Sequence, residues 1–281
     1  MPEPIVTHVS DTALWIAADR AVETRRPDSL FRDHLADRLA GERGHAIARR
    51  MHPGSSNWAV IVRTRLIDDL ILDAIDDGVD RVLNLAAGLD TRPYRLPLPA
   101  SLTWIEADFP DLIDDKERAL AGERPLCQLR RERVDLADAA ARGAFLDRAL
   151  TGARRALVLT EGLLVYLEPS QVQAIARDLH ARPAIHSWMM DLTSPGVIKM
   201  VHKRARRVLG DGVQMKFAPV EGVRYFEPLG WKAADVRHYF REGVRLHRVP
   251  RWMRPFALFP DPDPAHLGDR PWGGIVRYER A

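Results

Sequence analysis

Arg81-Val-Leu-Asn-Leu-Ala-Ala-Gly-Leu-Asp90 runs from a short, unbroken apolar segment straight into a turn of small residues. An apolar run of this length without alternation reads as a strand covered on both faces. Small residues at its end let the backbone come close to a ligand at the C-terminal edge of an open sheet. Gly88 is the one position of the turn expected to take unusual dihedrals. A second run, Leu102–Phe109, ends in Glu106-Ala-Asp108. An acid about twenty residues beyond the first strand sits beside the first turn and can bond both hydroxyls of a ribose. A dinucleotide site wants G-x-G-x-x-G so that a helix N-terminus meets the pyrophosphate. Here the turn has one glycine, and Asp90 stands where phosphate would approach. An acidic turn suits a cofactor with a cationic end and no phosphate, a description that S-adenosylmethionine meets. The competing reading is an ordinary α/β turn without a ligand.

Working outward, further apolar runs at Gln128–Leu136, Ala156–Glu161 and Ile185–Leu192 alternate with helical patterns near 110–121, 138–150 and 169–181. Such alternation predicts an α/β fold with a doubly wound, mostly parallel sheet and right-handed crossovers. A long helix, Ser56–Asp77, stops at Gly78 ahead of the first strand. Residues 10–50 read as two helices. The first is capped by Ser10 and Asp11, with Leu14, Trp15, Ala18 and Val22 on one face. The second starts at Pro27-Asp28, turns Leu30, Phe31, Leu35 and Leu39 inward, and stops at Gly41. After Leu192 the rhythm breaks. More than 50 residues, including a basic helix at Lys199–Leu209, a turn at Gly210–Gly212 and the stretch Val220–Trp231, precede the next expected strand, Leu246–Val249. The last strand is expected at Gly274–Arg280. The whole reads as a single domain over 1–281: an N-terminal helical lid (1–55), a core (56–193 and 246–281) and an inserted acceptor-pocket segment (194–245).

Composition narrows the function. With 281 residues, 46% hydrophobic and 29% charged, the chain can bury one sizeable core and is neither disordered nor fibrous. Cys127 is the sole cysteine, which excludes an internal disulfide and favours a reducing compartment. No apolar run reaches the length of a membrane span and none marks a signal peptide, so a cytoplasmic location and no membrane partner are expected. Of 42 basic residues 37 are arginine, a skew read as codon bias, and no basic arm supports nucleic-acid binding. There is no H-E-x-x-H, cysteine pair or clustered histidine for a metal, no G-x-S-x-G elbow and no Walker loop. The net charge of +3 is uneven: residues 1–194 hold 25 basic and 30 acidic side chains, residues 195–281 hold 17 and 9. A basic acceptor segment points to an anionic acceptor, provided those residues face the cavity.

The ordered motifs resemble the leucine carboxyl methyltransferase-like family of S-adenosylmethionine-dependent O-methyltransferases, which includes bacterial small-molecule and polyketide-tailoring enzymes. The resemblance runs from about Ser10 to Trp231. It rests on Asp11-Thr-Ala13, Arg20-Ala-Val-Glu-Thr24, Arg63-Thr-Arg65, Asn84-Leu-Ala-Ala-Gly-Leu-Asp-Thr-Arg-Pro-Tyr-Arg-Leu96, Glu106-Ala-Asp-Phe-Pro110 with Lys116, Val134-Asp-Leu136, Thr160-Glu-Gly-Leu-Leu-Val-Tyr-Leu167 and Phe226-Glu-Pro-Leu-Gly-Trp231. It implies a Rossmann-like class I methyltransferase fold and S-adenosylmethionine as cofactor. Arg63 would then grip the cofactor carboxylate, Ala86 and Gly88 would line its methionine part, with Asp90 in the same turn, and Asp108 would hold the ribose. Asp135 and Leu136 would flank the adenine, and Glu161 would face the methionine end and help position the reaction. The family usually has glycine where this chain has Ala86.

Each of these residues also has a structural reading. Arg63 would sit on a charged helix face, Asp90 and Asp135 would cap turns, Glu161 would start a helix, Tyr166 would be pocket wall, Arg92 and Arg95 would support the turn, and Lys116 would pair with Asp114 or Asp115. Methyl transfer from a sulfonium needs alignment, exclusion of water and an ionised nucleophile. A carboxylate is already ionised at neutral pH, whereas a phenol needs a base. His180, His186, His202 and His238 are scattered, which favours a carboxylate acceptor, with Lys203-Arg-Ala-Arg-Arg207 a candidate region to orient it. The alternatives are methylation of a hydroxyl on a polyketide-like acceptor and a non-catalytic S-adenosylmethionine-binding module.

Overall fold

The computed structural model describes residue 6 and residues 9–52, 57–205 and 214–281. Strands β1 (Arg81–Leu85), β2 (Thr103–Asp108), β3 (Gln128–Arg133), β4 (Ala156–Thr160), β5 (Ile185–Thr193), β6 (Trp231–His238) and β7 (Gly273–Arg280) form one sheet in the order β3-β2-β1-β4-β5-β7-β6. The first five are parallel to one another, and β7 runs antiparallel to both β5 and β6. Helices α1 (Val9–Thr24), α2 (Ala36–Met51) and α3 (Trp58–Asp76) precede the sheet. Then α4 (Arg92–Arg95), α5 (Pro110–Ala119), α6 (Ala139–Ala149) and α7 (Pro169–His180) occupy successive crossovers, and α8 (Pro195–Ala205) and α9 (Tyr239–Arg245) follow β5 and β6. The doubly wound expectation holds.

Burial explains the strand pattern. β4 is buried at every residue and β1 and β2 at all but the first, because successive side chains point to opposite covered faces. Leu83, Ile105 and Val158 pack with Phe145 and Leu146 of α6 and Ile175 of α7. Val82, Trp104 and Leu157 pack with Val62, Leu66 and Leu70 of α3 on the other side. Trp188 of β5 centres an aromatic cluster with Phe226 at 5.2 Å and Trp231 at 5.6 Å between ring centroids. Its indole Nε1 donates to Thr160 Oγ1 at 3.0 Å, so the buried donor is satisfied. At the free edge β3 reads Gln-Leu-Arg-Arg-Glu-Arg, and such charge discourages pairing with another chain.

Three expectations change. Residues 27–35 are not helix. The loop is tied by side chains, with Leu30 N donating to Glu23 Oε1 (2.7 Å) and Asp33 N to Thr24 Oγ1 (2.9 Å). Gly41, the expected stop, takes φ +54° and kinks α2, which continues to Met51. Phe31 and Leu39 are buried as expected, but Val22 is exposed. Second, Leu246–Val249 is no strand: the amides of Leu246, His247 and Arg248 bond back to carbonyls of α9, and His247 has φ +57°, leaving nothing for a sheet ladder. Third, the strand beside β7 is Trp231–His238, inside the segment read as insertion. The basic helix is observed as Pro195–Ala205, while Ser56, residues 206–209 of that helix and the Gly210–Gly212 turn lie outside the described residues.

Candidate cofactor site

A cavity of about 600 Å³ opens at the C-terminal ends of β1, β2, β4 and β5. β1 lies between β2 and β4, so the chain order reverses there, and the crevice at such a point is where open α/β sheets bind ligands. Arg63, Ala86, Gly88, Asp90, Asp108, Asp135, Leu136, Glu161 and Tyr166 all line this one cavity. Residues spread over more than a hundred positions are brought together by four strand ends and α3.

The turn after β1 is sharper than its single glycine implies. Ala86 has φ +56° and Gly88 φ +49°, so two residues, not Gly88 alone, enter the left-handed region. Ala86 N still donates to Ala107 O (2.8 Å), the last rung of the ladder, and the chain must leave the sheet within that residue. Asp108 secures the far side: Oδ2 accepts from Gly88 N (2.7 Å) and Oδ1 from Phe109 N (2.8 Å). Each oxygen keeps a lone pair for a hydroxyl. Burial holds the Asp108 carboxyl above its ordinary value, offset in part by those two amides.

Behind the turn stands a charge network. Glu161 lies between two guanidiniums. Its Oε2 is 2.9 Å from Arg92 Nη1, and its Oε1 is 2.8 Å from Arg63 Nε, at an angle that makes no hydrogen bond. Arg92 also meets Asp90 (2.8 Å) and Asp68 (2.7 Å), and Arg95 meets Asp68 (2.6 Å). Asp191, at the end of β5, accepts from Gly162 N (2.6 Å) and faces Arg63 Nη1 (3.3 Å). Burial pushes Glu161 up, but Arg92 and Arg63 outweigh it and the carboxyl sits below its usual value. Asp90 is likewise pressed up by burial yet pulled down to about 2, chiefly by Arg92. For Asp191 burial wins, and its carboxyl is raised despite Arg63 and the Gly162 amide.

Several structural readings coexist with the site. Asp90 does brace the turn, accepting from Arg92 N (2.8 Å). Asp135 accepts from Ala137 N (2.9 Å), but the cap of α6 is Asp138, which accepts from Ala140 N and Ala141 N. Lys116 pairs with neither Asp114 nor Asp115. It meets Glu106 at 2.8 Å, fully buried, so of the two acids ending β2 only Asp108 faces the cavity. Among the described residues no basic side chain of 195–281 lines the cavity: the lining from that segment is Val197, Val201, Met215, Phe217 and Tyr239. Lys203 is exposed, and the side chains of 204–207 lie outside the described residues. The charge asymmetry therefore gains no support from the described residues as a guide to the acceptor.

Sequence reading missed Asp191 and Tyr239. Tyr239 begins α9 and reaches the cavity across Gly273, where a Cβ would lie 3.1 Å from its ring. Its hydroxyl is buried with no hydrogen-bond partner, and burial drives its ionisation well above the ordinary tyrosine range. Among the described residues no group of three or more His, Cys, Asp or Glu is placed to hold a metal ion.

The sequence profile of the leucine carboxyl methyltransferase family matches residues 13–180. A protein of Mycolicibacterium paratuberculosis called "Putative S-adenosyl-L-methionine-dependent methyltransferase" is 31% identical over 277 residues, covering 86% of this chain and 90% of its own length. One of the same description from Parafrankia is 34% identical over 282 residues, covering 95% and 77%. A crystal structure of a "putative methyltransferase" from Thermobifida fusca superposes with a TM-score of 0.58 at 17% identity, covering 99% of this chain and 96% of that one, and so shows the shared fold. The chain belongs to the leucine carboxyl methyltransferase family of S-adenosylmethionine-dependent methyltransferases.

Proposed function

We propose that the protein methylates a carboxylate oxygen of a small molecule with a largely apolar body. The carrying observation is the division of the cavity lining. The sheet edge supplies charged groups, while Trp15, Val165, Leu167, Val197, Met215 and Phe217 supply an apolar wall. The connected ion-pair network of α3, α4 and the ends of β1, β4 and β5 (Arg63, Arg92, Arg95; Asp68, Asp90, Glu161, Asp191) carries one net negative charge. S-adenosylmethionine carries an ammonium, a sulfonium and a carboxylate, a net positive charge at that end, so the residues present fit it. The unpartnered Tyr239 hydroxyl supports the same fit, since a buried donor left unmade costs about 1–3 kcal/mol unless a ligand takes it.

The bound cofactor supplies a methyl group on a positively charged sulfur. The protein's own residues hold and exclude. Arg63 receives the carboxylate, Glu161 and Asp191 the ammonium, Asp108 the ribose hydroxyls, and Asp135 with Leu136 the adenine edge. Helices α1 and α2, as a lid, and the apolar wall keep water from the line of attack, which strengthens every charge contact within. No histidine, lysine or cysteine lines the cavity among the described residues, so an acceptor that needs no base fits best.

Asp191 favours a second reading. Burial raises its carboxyl, which makes it a base candidate for a hydroxyl acceptor. Screening small carboxylic acids and phenols with methyl-labelled cofactor, then measuring rate against pH, separates the two. A profile flat from pH 6 upward is expected for the carboxylate. A rate rising through a pKa between about 7 and 9 would replace it with the hydroxyl.

A further inference from the structure

The segment Arg251–Leu258 after α9 has no buried residue. Leu258 (88%), Trp252 (70%) and Phe259 (65%) are the most exposed large apolar side chains among the described residues, and Phe256 stands beside them at 57%. The segment is fixed in place. Arg241 of α9 donates to Ala257 O and to Phe259 O (2.8 Å) and pairs with Asp261 (2.8 Å), and Arg254 Nε donates to Val249 O (3.2 Å). The rings of Phe256 and Phe259 lie 6.5 Å apart. Four exposed apolar side chains on one short segment, fixed in place by hydrogen bonds to its backbone, mark a surface that meets something.

We propose that this patch seats the protein on an anionic lipid surface. Arg251 and Arg254 have no acidic partner among the described residues, and nearby Asp261 is taken by Arg241 and His238. A second copy of the same face would set these like charges against each other. Four apolar side chains also fall well short of the 20–30 residues a side of a standard protein interface. Indole, phenyl and isobutyl groups flanked by arginine match the headgroup boundary, where the rings partition and each cation gains from anionic lipid. The contact is peripheral, since no described helix is long and apolar enough to cross a membrane. It departs from the sequence expectation of no membrane partner, and it does not depend on the identity of the acceptor.

The test is co-sedimentation of the full chain with phosphatidylglycerol or phosphatidylcholine vesicles at low salt. Binding to phosphatidylglycerol should exceed that to phosphatidylcholine by about tenfold and weaken as salt rises. The combined Trp252→Ser, Phe256→Ser and Phe259→Ser variant should lose it with little change in melting temperature, because all three side chains are more than half exposed, and Arg251→Glu should weaken it severalfold. No vesicle binding, equal binding to both lipids, or full binding by the triple variant overturns the proposal. So does a concentration-dependent dimer, seen by light scattering and abolished in the triple variant without any lipid binding, which gives the face to a second copy.

Discussion

Nε of Arg63 stands 2.8 Å from Oε1 of Glu161 without the alignment of a hydrogen bond. Charge attraction without an aligned hydrogen bond holds this pair, which leaves the Nε hydrogen to be taken by a ligand carboxylate, while Glu161 keeps Arg92 at 2.9 Å. Hydrogen bonds to charged groups contribute about 1.5–3 kcal/mol. Arg63→Ala should therefore weaken S-adenosylhomocysteine binding by about 10- to 100-fold in calorimetry, with Arg63→Lys between the two because it loses the planar fork. Unchanged affinity in Arg63→Ala removes the arginine from the site.

Ala86→Gly should stabilise the protein. At φ +56° the alanine Cβ crowds the following carbonyl, which costs about 1–2 kcal/mol. Glycine gives back about 0.5–1 kcal/mol in the unfolded chain. A net gain of about 0.5–1 kcal/mol in urea unfolding is expected, with tighter S-adenosylhomocysteine binding if the methyl group also crowds the ligand. Loss of stability would mean that the Cβ makes contacts worth more than the strain.

Ala86 also shows what the sequence could and could not carry. Apolar runs such as Ala156–Thr160 identified the sheet because a strand buried on both faces leaves no room for polar residues. Glu161 was legible for the same reason, as the first charge after such a run, and Asp108 as one of the two acids that end β2, about twenty residues beyond the first turn. Backbone strain at an alanine has no sequence signature. Neither did the pairing of Lys116 with Glu106, whose partner lies ten residues away while two nearer acids face elsewhere. Tyr239 and Asp191 were hidden because β5 pairs with a strand about eighty residues further on. The register that brings them together is a property of the β7 return, which no local pattern encodes. Leu246–Val249 misled through composition: it is apolar and short, but its amides are spent on the end of α9.

The fully buried contact of Lys116 with Glu106 predicts a large, partner-dependent loss. Lys116→Met strands the Glu106 carboxylate with Arg131 (2.8 Å) as its remaining ion-pair partner. Removing one member of a buried pair costs about 3–5 kcal/mol. Lys116→Met combined with Glu106→Gln should recover part of that loss, and a double-mutant cycle in urea measures the coupling. Additive losses would show that the pair does not act as a unit.

Asp19 offers a pH test. Burial in α1 raises its carboxyl from 3.8 to about 6, with the Asn57 amide at 3.4 Å offsetting only part. The folded state thus holds this proton more tightly than the unfolded chain. Its contribution to stability is full below pH 4 and lost as pH rises through 6. Asp19→Asn cannot ionise, so it should be more stable than the parent at pH 8, by about 3 kcal/mol at 1.36 kcal/mol per pKa unit. The difference should shrink toward zero by pH 4. A difference in melting temperature that stays constant from pH 4 to 8 would remove the titration of Asp19 as its cause.

Tyr239→Phe separates a ligand contact from a structural one. Its hydroxyl is buried and no protein group bonds it, so removing it should leave stability unchanged or raise it by about 1 kcal/mol. A tyrosine kept for packing alone would behave the same way with and without ligand. Its place beside Arg63, Asp191 and Glu161 sets it at the methionine end. Affinity for S-adenosylhomocysteine should then fall by about fivefold, the value of one neutral hydrogen bond of about 1 kcal/mol. Affinity for 5′-methylthioadenosine, which lacks the amino-acid end, should not change. Equal loss for both ligands would move the hydroxyl to the nucleoside side, and no loss for either would leave it to the acceptor.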